Sequence, residues 1–298
     1  MPPVIIAVVL MLWVLAPISG QAAPADNGSI LKYSHPELSE LSGLATSFNN
    51  PEIIWGHNDS GDGARLFKLN TDGQVVGQLE ISNANAFDWE DMASFQDVAG
   101  NNFLVVADTG DNSSIRPFVD VYLLPEPASD VKRIKASRRF TLVFPDGPRD
   151  VESIAVDGQE RFIYLLSKRD PHPRLYRFSI DALKHLFIPL NYLGEIKSLP
   201  SQAKHAALSP KYRWQFGPTA MAFSPAMDAA IIVTPRNTYY FARNKNENWL
   251  DALNRDPKII KPDRLPQIES GTFSADGKQI FIGSEGKPAQ VPVLPRPE

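Results

Sequence analysis

The sequence of 298 residues contains no cysteine. Disulfides, thiolate nucleophiles, iron–sulfur clusters and cysteine-bound zinc are therefore excluded. An excess of basic residues is also lacking, because 30 Lys and Arg stand against 34 Asp and Glu, for a formal net charge of −4. Proteins that bind nucleic acid mainly through phosphate contacts need a basic surface, so we expect no nucleic-acid partner. Nucleophile-elbow, P-loop and HExxH zinc-protease motifs are absent as well.

Long hydrophobic runs are scarce, and the one that stands out is residues 4–16, with 13 apolar residues. As a helix this run would rise only about 20 Å, short of the roughly 30 Å hydrocarbon core of a bilayer. Pro17 ends the run and small residues follow it, which is typical of a secretory signal peptide cleaved after Ala22. We therefore predict a signal peptide at residues 1–22. The mature protein is then periplasmic or secreted, without a membrane span after processing; an uncleaved N-terminal anchor is the alternative.

Five short segments of the remaining chain, residues 23–298, share one pattern: a small or acidic polar pair, an apolar residue and usually alanine. They begin at Ser42, Glu90, Glu152, Thr219 and Glu269. A turn and two further strand-like segments follow each of them, and four of the five have a candidate fourth strand. The starts lie 48, 62, 67 and 50 residues apart, which suits four-stranded β-propeller blades. We predict a single all-β domain, a propeller of five antiparallel blades; six blades is the alternative, with a degenerate unit in a long interval.

The last unit reaches the C-terminus after three strands, whereas residues 29–36 precede the first unit without a partner. We predict that this N-terminal strand is the outer strand of the last blade. Closure of this kind would remove two exposed sheet edges. Two further stretches, residues 180–187 and 244–256, are expected to decorate loops, the first of them as a helix.

In a propeller the first strand of each blade starts at the face where the second strand ends, so polar residues at these points converge at one mouth of the channel. Acidic residues open the first strand in three blades. The predicted metal ligands are Glu90, Asp91, Asp150, Glu152 and Glu269. Converging carboxylates repel one another unless a cation, an arginine or protonation relieves them. Oxygen-only ligands suit a hard divalent ion, so Ca²⁺ is the expected cofactor.

Polar and charged residues also close the second strands, and these are predicted to contact a ligand. They are His57, Asn58, Asp59, Asp108, Asp111, Arg116, Lys168, Arg169 and Arg236. The cations Lys168, Arg169 and Arg236 are expected to hold an anionic group. The alternative is that the Asp, Asn and Gly residues only form tight turns with Asx hydrogen bonds. His57 has no nearby histidine partner, so a purely structural role is the alternative for it.

The strings FDWEDMASF, VVADTGDN and PDGPRDVES resemble a group of exported bacterial β-propeller proteins without assigned chemistry, within the TolB-like and phytase-like propeller superfamilies. FSADGKQIFIGS is similar to the TolB-type repeat hairpin, and the resemblance covers most of residues 38–290. Related lactonase-like propellers, usually six-bladed, bind calcium through Glu, Asp and Asn at the channel. The resemblance implies a calcium-binding role for Glu90, Glu152, Glu269 and Asn58.

Two functions are compatible with these patterns. The first is a propeller whose acidic, calcium-binding mouth holds a small anionic ligand or a protein partner. The alternative is a calcium-dependent hydrolase of phosphoesters or lactones, in which Glu90 or Glu152 acts as general base on water. The sequence shows no recognisable nucleophile and no histidine pair, which favours binding.

Overall fold

The computed structural model describes residues 28–182, 187–202, 215–261 and 265–298. The predicted signal peptide lies outside these ranges, as does the middle of the helical stretch predicted at 180–187. Within the described ranges, no helix combines the length and apolar character needed to cross a bilayer.

The strands form five sheets, in agreement with the predicted blades. Strand β1 (Ile30–Tyr33) comes first in the chain and belongs to the last blade. Blade 1 contains β2 (Leu41–Thr46), β3 (Ile53–Asn58), β4 (Arg65–Asn70) and β5 (Val75–Ile81). Blade 2 contains β6 (Trp89–Gln96), β7 (Asn102–Asp108), β8 (Val119–Pro125) and, after the two-residue β9 (Arg133–Ile134), β10 (Arg138–Val143).

Blade 3 contains β11 (Val151–Asp157), β12 (Phe162–Ser167), β13 (Arg174–Ser179) and, after the two-residue β14 (Ile188–Pro189), β15 (Asn191–Glu195). Blade 4 contains β16 (Ala220–Phe223), β17 (Ala229–Val233), β18 (Thr238–Ala242) and, after the helix α1 (Trp249–Leu253), β19 (Lys258–Ile260). Blade 5 contains β20 (Ile268–Phe273), β21 (Gln279–Ser284) and β22 (Ala289–Pro295), to which β1 adds. Strands β9 and β14 are additions that the pattern does not predict, and they pair in parallel with β5 and β10.

The five innermost strands form a closed ring. Each of β2, β6, β11, β16 and β20 contacts the innermost strand of both neighbouring blades. Because β11 and β16 contact each other directly, no further blade fits into the long third interval. Five blades are therefore confirmed, and the six-bladed alternative is wrong.

The N-terminal strand closes the ring as predicted. Strand β1 pairs antiparallel with β22, from Ile30 opposite Pro292 to Tyr33 opposite Ala289. The buried Tyr33 also donates its hydroxyl hydrogen to the carbonyl oxygen of Asn70, at 2.8 Å, which ties blade 5 to blade 1.

The hydrophobic core lies between adjacent blades, where the side chains of facing sheets pack in five clusters. The 244–256 stretch contributes to this core and is more than a loop decoration. Its helix α1 buries Trp249, which stacks on Phe223 with 3.6 Å between ring centroids. The indole N–H donates to Asp157 at 2.8 Å, so the helix is held by both packing and a hydrogen bond.

A β-bulge occurs near the start of the innermost strand in four of the five blades. In blade 2, for example, Trp89 pairs with Asp108 and Asp91 pairs with Ala107, so Glu90 has no partner across the ladder. The residues skipped in this way are Ser42, Glu90, Glu152 and Glu269. Because a bulge redirects a side chain, the same irregularity places three predicted glutamates at equivalent positions around the ring.

Candidate functional site

Two groups of three carboxylates lie at the channel mouth and share Glu90. In the first group, an oxygen of Asp59, one of Asp88 and one of Glu90 lie within 4.8 Å of one another. The second group joins Glu90 to Asp150 and Glu152 within the same distance. Blades 1, 2 and 3 supply these residues from the end of β3 and the starts of β6 and β11. Either group could hold a metal ion, because carboxylate oxygens are suitable ligands for hard cations.

Positive side chains already neutralise the Asp150 and Glu152 part of the second group. The Lys168 ammonium contacts the Glu152 carboxylate, and the Arg169 guanidinium contacts Asp150 and lies 3.7 Å from Glu152. The backbone N–H of Asp111 donates to Asp150 at 2.8 Å. These carboxylates therefore have counter-charges without a metal.

Burial raises the pKa of Glu152, although the Lys168 ammonium opposes the rise. Burial alone would lower the pKa of Lys168, but the carboxylates of Glu152, Glu269 and Glu90 raise it above its usual range. Lys168 consequently stays charged. Lys168 and Arg169 supply two positive charges to the four acids Glu90, Asp150, Glu152 and Glu269, so negative charge is in excess when all four are ionised.

The Asp59, Asp88 and Glu90 group is less compensated, because the positive charges of Arg116 and Lys168 act on it only without direct contact. Across the described residues, no Lys or Arg forms an ion pair with any of the three. The Glu90 residue is only 6% exposed, and within the same residues its carboxylate accepts no hydrogen bond. Burial, assisted by the neighbouring Asp59, raises the pKa of Asp88 to about 6. Burial and the nearby Glu152 and Asp59 also raise the pKa of Glu90 well above its ordinary value.

The backbone of the DTGDN loop lies against this first acidic group at Gly110. A Cβ atom on Gly110 would lie 2.0 Å from Oε1 of Glu90 and 2.4 Å from Oδ2 of Asp88. Only glycine therefore lets the loop and the two carboxylates occupy their present positions. The oxygen-only donor set and its negative charge fit a hard divalent cation.

Three predicted ligand-binding residues form an ion pair and hydrogen bonds within the same loop. Arg116 forms an ion pair with Asp108 at 3.0 Å and donates to the carbonyl of Gly110 at 2.7 Å. Asp111 accepts the backbone N–H of Arg116 at 2.7 Å. Asp108 also accepts the backbone N–H groups of residues 87 and 88. These contacts fix the loop that approaches the carboxylates.

Asn58 and His57 are buried in the structure around the mouth and belong to neither acidic group. The amide of Asn58 donates to Asp62 at 2.7 Å, and its oxygen accepts two backbone N–H groups before β2. The His57 ring packs edge-on against Trp89 and places Nδ1 2.8 Å from the carbonyl oxygen of Asn58. Burial lowers the pKa of His57, so this ring is neutral near pH 7.

Asp91, a predicted metal ligand, belongs to neither acidic group. It forms hydrogen bonds to other blades of the ring. Its carboxylate accepts the backbone N–H of Ile154 at 2.9 Å, of Met221 at 3.2 Å and of Met92 at 2.8 Å. Burial raises its pKa, and these three N–H groups oppose the rise. Asp91 thus joins the innermost strands of blades 2, 3 and 4.

The other side of the mouth carries Glu269 and Arg236. Burial raises the pKa of Glu269, which lies outside both groups, while Lys168 opposes that rise. Arg236 is exposed and donates to the side chain of Gln215 at 2.5 Å. These residues line a cavity of about 570 Å³, together with Pro235, Pro266 and Gln267.

Two acidic residues of the mouth are missing from the predicted set. Asp88 lies immediately before β6, and Glu285 follows β21. Burial, with the charges of Glu269, Asp59 and Glu40, raises the pKa of Glu285 to about 8. Asp88 lies at the start of the first strand of a blade, and Glu285 lies at the end of the second strand. The sequence predicts the other site residues from the same two positions.

Comparisons with known proteins identify no family for this chain. No protein-family model matches the chain, and no curated protein matches it significantly in sequence. A chain from the crystal structure of the nidogen/laminin complex is 12% identical, with a TM-score of 0.46, over 84% of this chain and 74% of that chain. A Kuenenia stuttgartiensis hydrazine synthase chain is 10% identical, with a TM-score of 0.45, over 94% of this chain and 99% of that chain. Similarity this distant carries no argument about ligand or activity.

Proposed function

We propose that this protein is an exported β-propeller that binds Ca²⁺ at Asp59, Asp88 and Glu90 and uses it to hold a small anionic ligand at the channel mouth. The observation that carries the proposal is the convergence of three carboxylates that form no direct ion pair with Lys or Arg among the described residues. Export follows from the signal peptide predicted at residues 1–22.

The cation half of the proposal rests on electrostatics. Burial and mutual repulsion raise the pKa values of Asp88 and Glu90, so holding both ionised near neutral pH costs free energy. A divalent ion removes this cost and satisfies the Glu90 oxygens. The missing Cβ at Gly110 leaves room for both carboxylates at their present positions.

The proposed binding of an anion rests on residues at the other side of the mouth. Among the described residues, Arg236 forms no ion pair with an acid, and its only side-chain partner is the neutral amide of Gln215. Lys168 lines the same cavity. A cation at the carboxylates and the Arg236 guanidinium would give a carboxylate or phosphoryl group two points of attachment.

A calcium-dependent hydrolase of phosphoesters or lactones is the second candidate. Glu152 favours it, because a buried acid with a raised pKa beside a cation site suits general acid–base catalysis. Turnover of chromogenic phosphoesters or lactones, abolished in Glu152→Gln with the fold intact, would identify an enzyme. Saturable binding of the same compounds without turnover would identify a binding protein.

Calcium binding is tested by thermal unfolding with EDTA and with added Ca²⁺. We expect Ca²⁺ to raise the melting temperature, because a ligand bound only to the native state at 100 times its Kd stabilises by about 2.7 kcal/mol. Glu90→Gln should lose this shift, yet be at least as stable as the parent in EDTA, because one repelling charge is gone. Asp97→Asn, in a hairpin on the opposite face, is the matched control and should keep the shift. An unchanged parent melting curve in EDTA and Ca²⁺ would refute the proposed site.

A further inference from the structure

An exposed aromatic ring stands beside the proposed cation site. Phe87 directly precedes Asp88 and is 69% exposed. The guanidinium of Arg116 lies 4.8 Å from its ring centroid, and the Asp108 carboxylate holds that guanidinium at 3.0 Å. The ring is therefore supported from one side by a charged group that is itself fixed.

Hydrogen bonds fix the loop that contains Phe87 at several points. The Trp89 indole donates to the carbonyl of Asn85 at 2.8 Å, and the N–H of Asn85 donates to the Tyr122 hydroxyl at 3.1 Å. The backbone N–H groups of residues 87 and 88 donate to Asp108 at 3.3 and 3.1 Å. An aromatic ring held in water by this many contacts is preorganised, so a partner that stacks on it has little ordering cost.

Phe87 forms one wall of a cavity of about 660 Å³ between blades 1 and 2. Its apolar lining is Ala64, Ala84, Ala86, Phe87, Pro117 and Phe118. Four charged side chains in its wall form two ion pairs, Arg116 with Asp108 at 3.0 Å and Arg139 with Asp120 at 2.6 Å. The fifth, Asp62, pairs with Arg65 outside the wall at 2.7 Å. The cavity thus combines an apolar patch with charges that are paired, and its volume is that of a small-molecule site.

We infer that this cavity receives the aryl group of the ligand whose anionic end binds at the mouth. The inference rests on the proposed function, since it assigns the ligand class of that site: an aromatic anion. The continuity of the two places supports it, because Phe87 adjoins the carboxylate of Asp88 in the chain and Arg116 contacts both Phe87 and the Gly110 loop. The fixed ring of Phe87 and the adjoining apolar side chains offer a stacking surface of the size of a small aromatic group.

The test compares 1-naphthyl phosphate with methyl phosphate by calorimetric titration in the presence of Ca²⁺. The parent protein should bind the naphthyl compound at least about tenfold more tightly, because stacking and burial of the aryl group add to the shared phosphate contacts. Phe87→Ala should lose this preference and keep the affinity for methyl phosphate. Val98→Ala, which truncates a 76% exposed apolar side chain in the hairpin after β6, is the control and should behave as the parent.

Equal affinities of the parent for the two phosphates, or a preference that survives in Phe87→Ala, would overturn the inference. If Ca²⁺ stabilises the protein but neither compound binds, the inference of an aromatic ligand is also overturned. The cation site would then still be supported, and a protein partner on this surface would be favoured. Failure of Ca²⁺ to stabilise the parent refutes the proposed function separately. Phe87 is exposed, so its variant should fold; the melting temperature and the Ca²⁺ shift of that variant verify this.

Discussion

At the scale of single residues, the candidate site depends on close approach as much as on charge. Gly110 belongs to a loop whose composition also fits an ordinary tight turn. Its distinguishing feature is the absence of a Cβ where Glu90 and Asp88 place their oxygens. The DTGDN string is visible in the sequence. The contact of its Gly110 with the carboxylates of Asp88 and Glu90 is visible only in the structure.

Gly110→Ala should therefore abolish calcium binding while leaving the fold in place. The methyl group must displace two carboxylate ends, which can swing aside, so we expect the free energy of unfolding without metal to change by less than about 1 kcal/mol. The Ca²⁺-induced rise in melting temperature should disappear. Gly63→Ala is the control, because a Cβ at Gly63 meets nothing within 4 Å. A Gly110→Ala protein that keeps the full Ca²⁺ shift would show that the carboxylates do not need their present positions.

At the scale of elements, ring closure depends on the short strand β1. Four residue pairs join it to β22, and it brings Tyr33 into the core between blades 5 and 1. Without β1 the edge of β22 is unpaired, and an unpaired edge can pair with another chain.

Deletion of residues 29–36 should cost the protein its cooperative unfolding or its monomeric state. The loss of the buried Tyr33 alone corresponds to about 3–5 kcal/mol, by analogy with other large aromatic truncations. Chemical unfolding and light scattering measure the two effects. Ile30→Lys, which changes an exposed position of the same strand and keeps the backbone pairing, is the control. A deletion protein that unfolds cooperatively as a monomer at the parental midpoint would contradict the role of β1 in closure.

At the scale of the whole molecule, the acids gathered at one mouth make stability depend on pH. Burial and neighbouring charges raise the pKa of Glu285 to about 8, and they also raise the pKa values of Glu90 and Glu152. The folded protein therefore holds protons that the unfolded chain has already released. Stability due to such acids is complete below their unfolded pKa and is lost as pH rises through the folded pKa.

In EDTA, we therefore expect the urea midpoint to fall between about pH 7 and about pH 8, because the folded protein holds these protons only up to its own pKa. The depressed pKa of His57 does not act in this window, because the ring is neutral in both states above its ordinary pKa of about 6.5. Ca²⁺ should flatten the profile, and Glu285→Gln should reduce the fall without removing the Ca²⁺ effect. A midpoint in EDTA that stays constant or rises across this window would contradict the assigned pKa directions.

Much of the fold is readable from the sequence, because blades are local units. Each blade consists of strands that follow one another, and alternation, turn residues and the repeated polar opening are all visible within about 60 residues. The five-fold repeat, the N-terminal closing strand and the placement of acids at first-strand starts therefore follow from the chain alone.

Tertiary structure alone decides which of those acids act together. Asp91 and Glu90 are adjacent in sequence, yet a bulge sends Glu90 to the mouth, while Asp91 accepts N–H groups from Ile154 and Met221, residues 63 and 130 positions away. Glu269 has the same bulged position as Glu90 but lies outside both acidic groups. Sequence determines the residue types at the mouth because repeats are local, whereas their distances and counter-charges arise only when five separate blades pack around one channel.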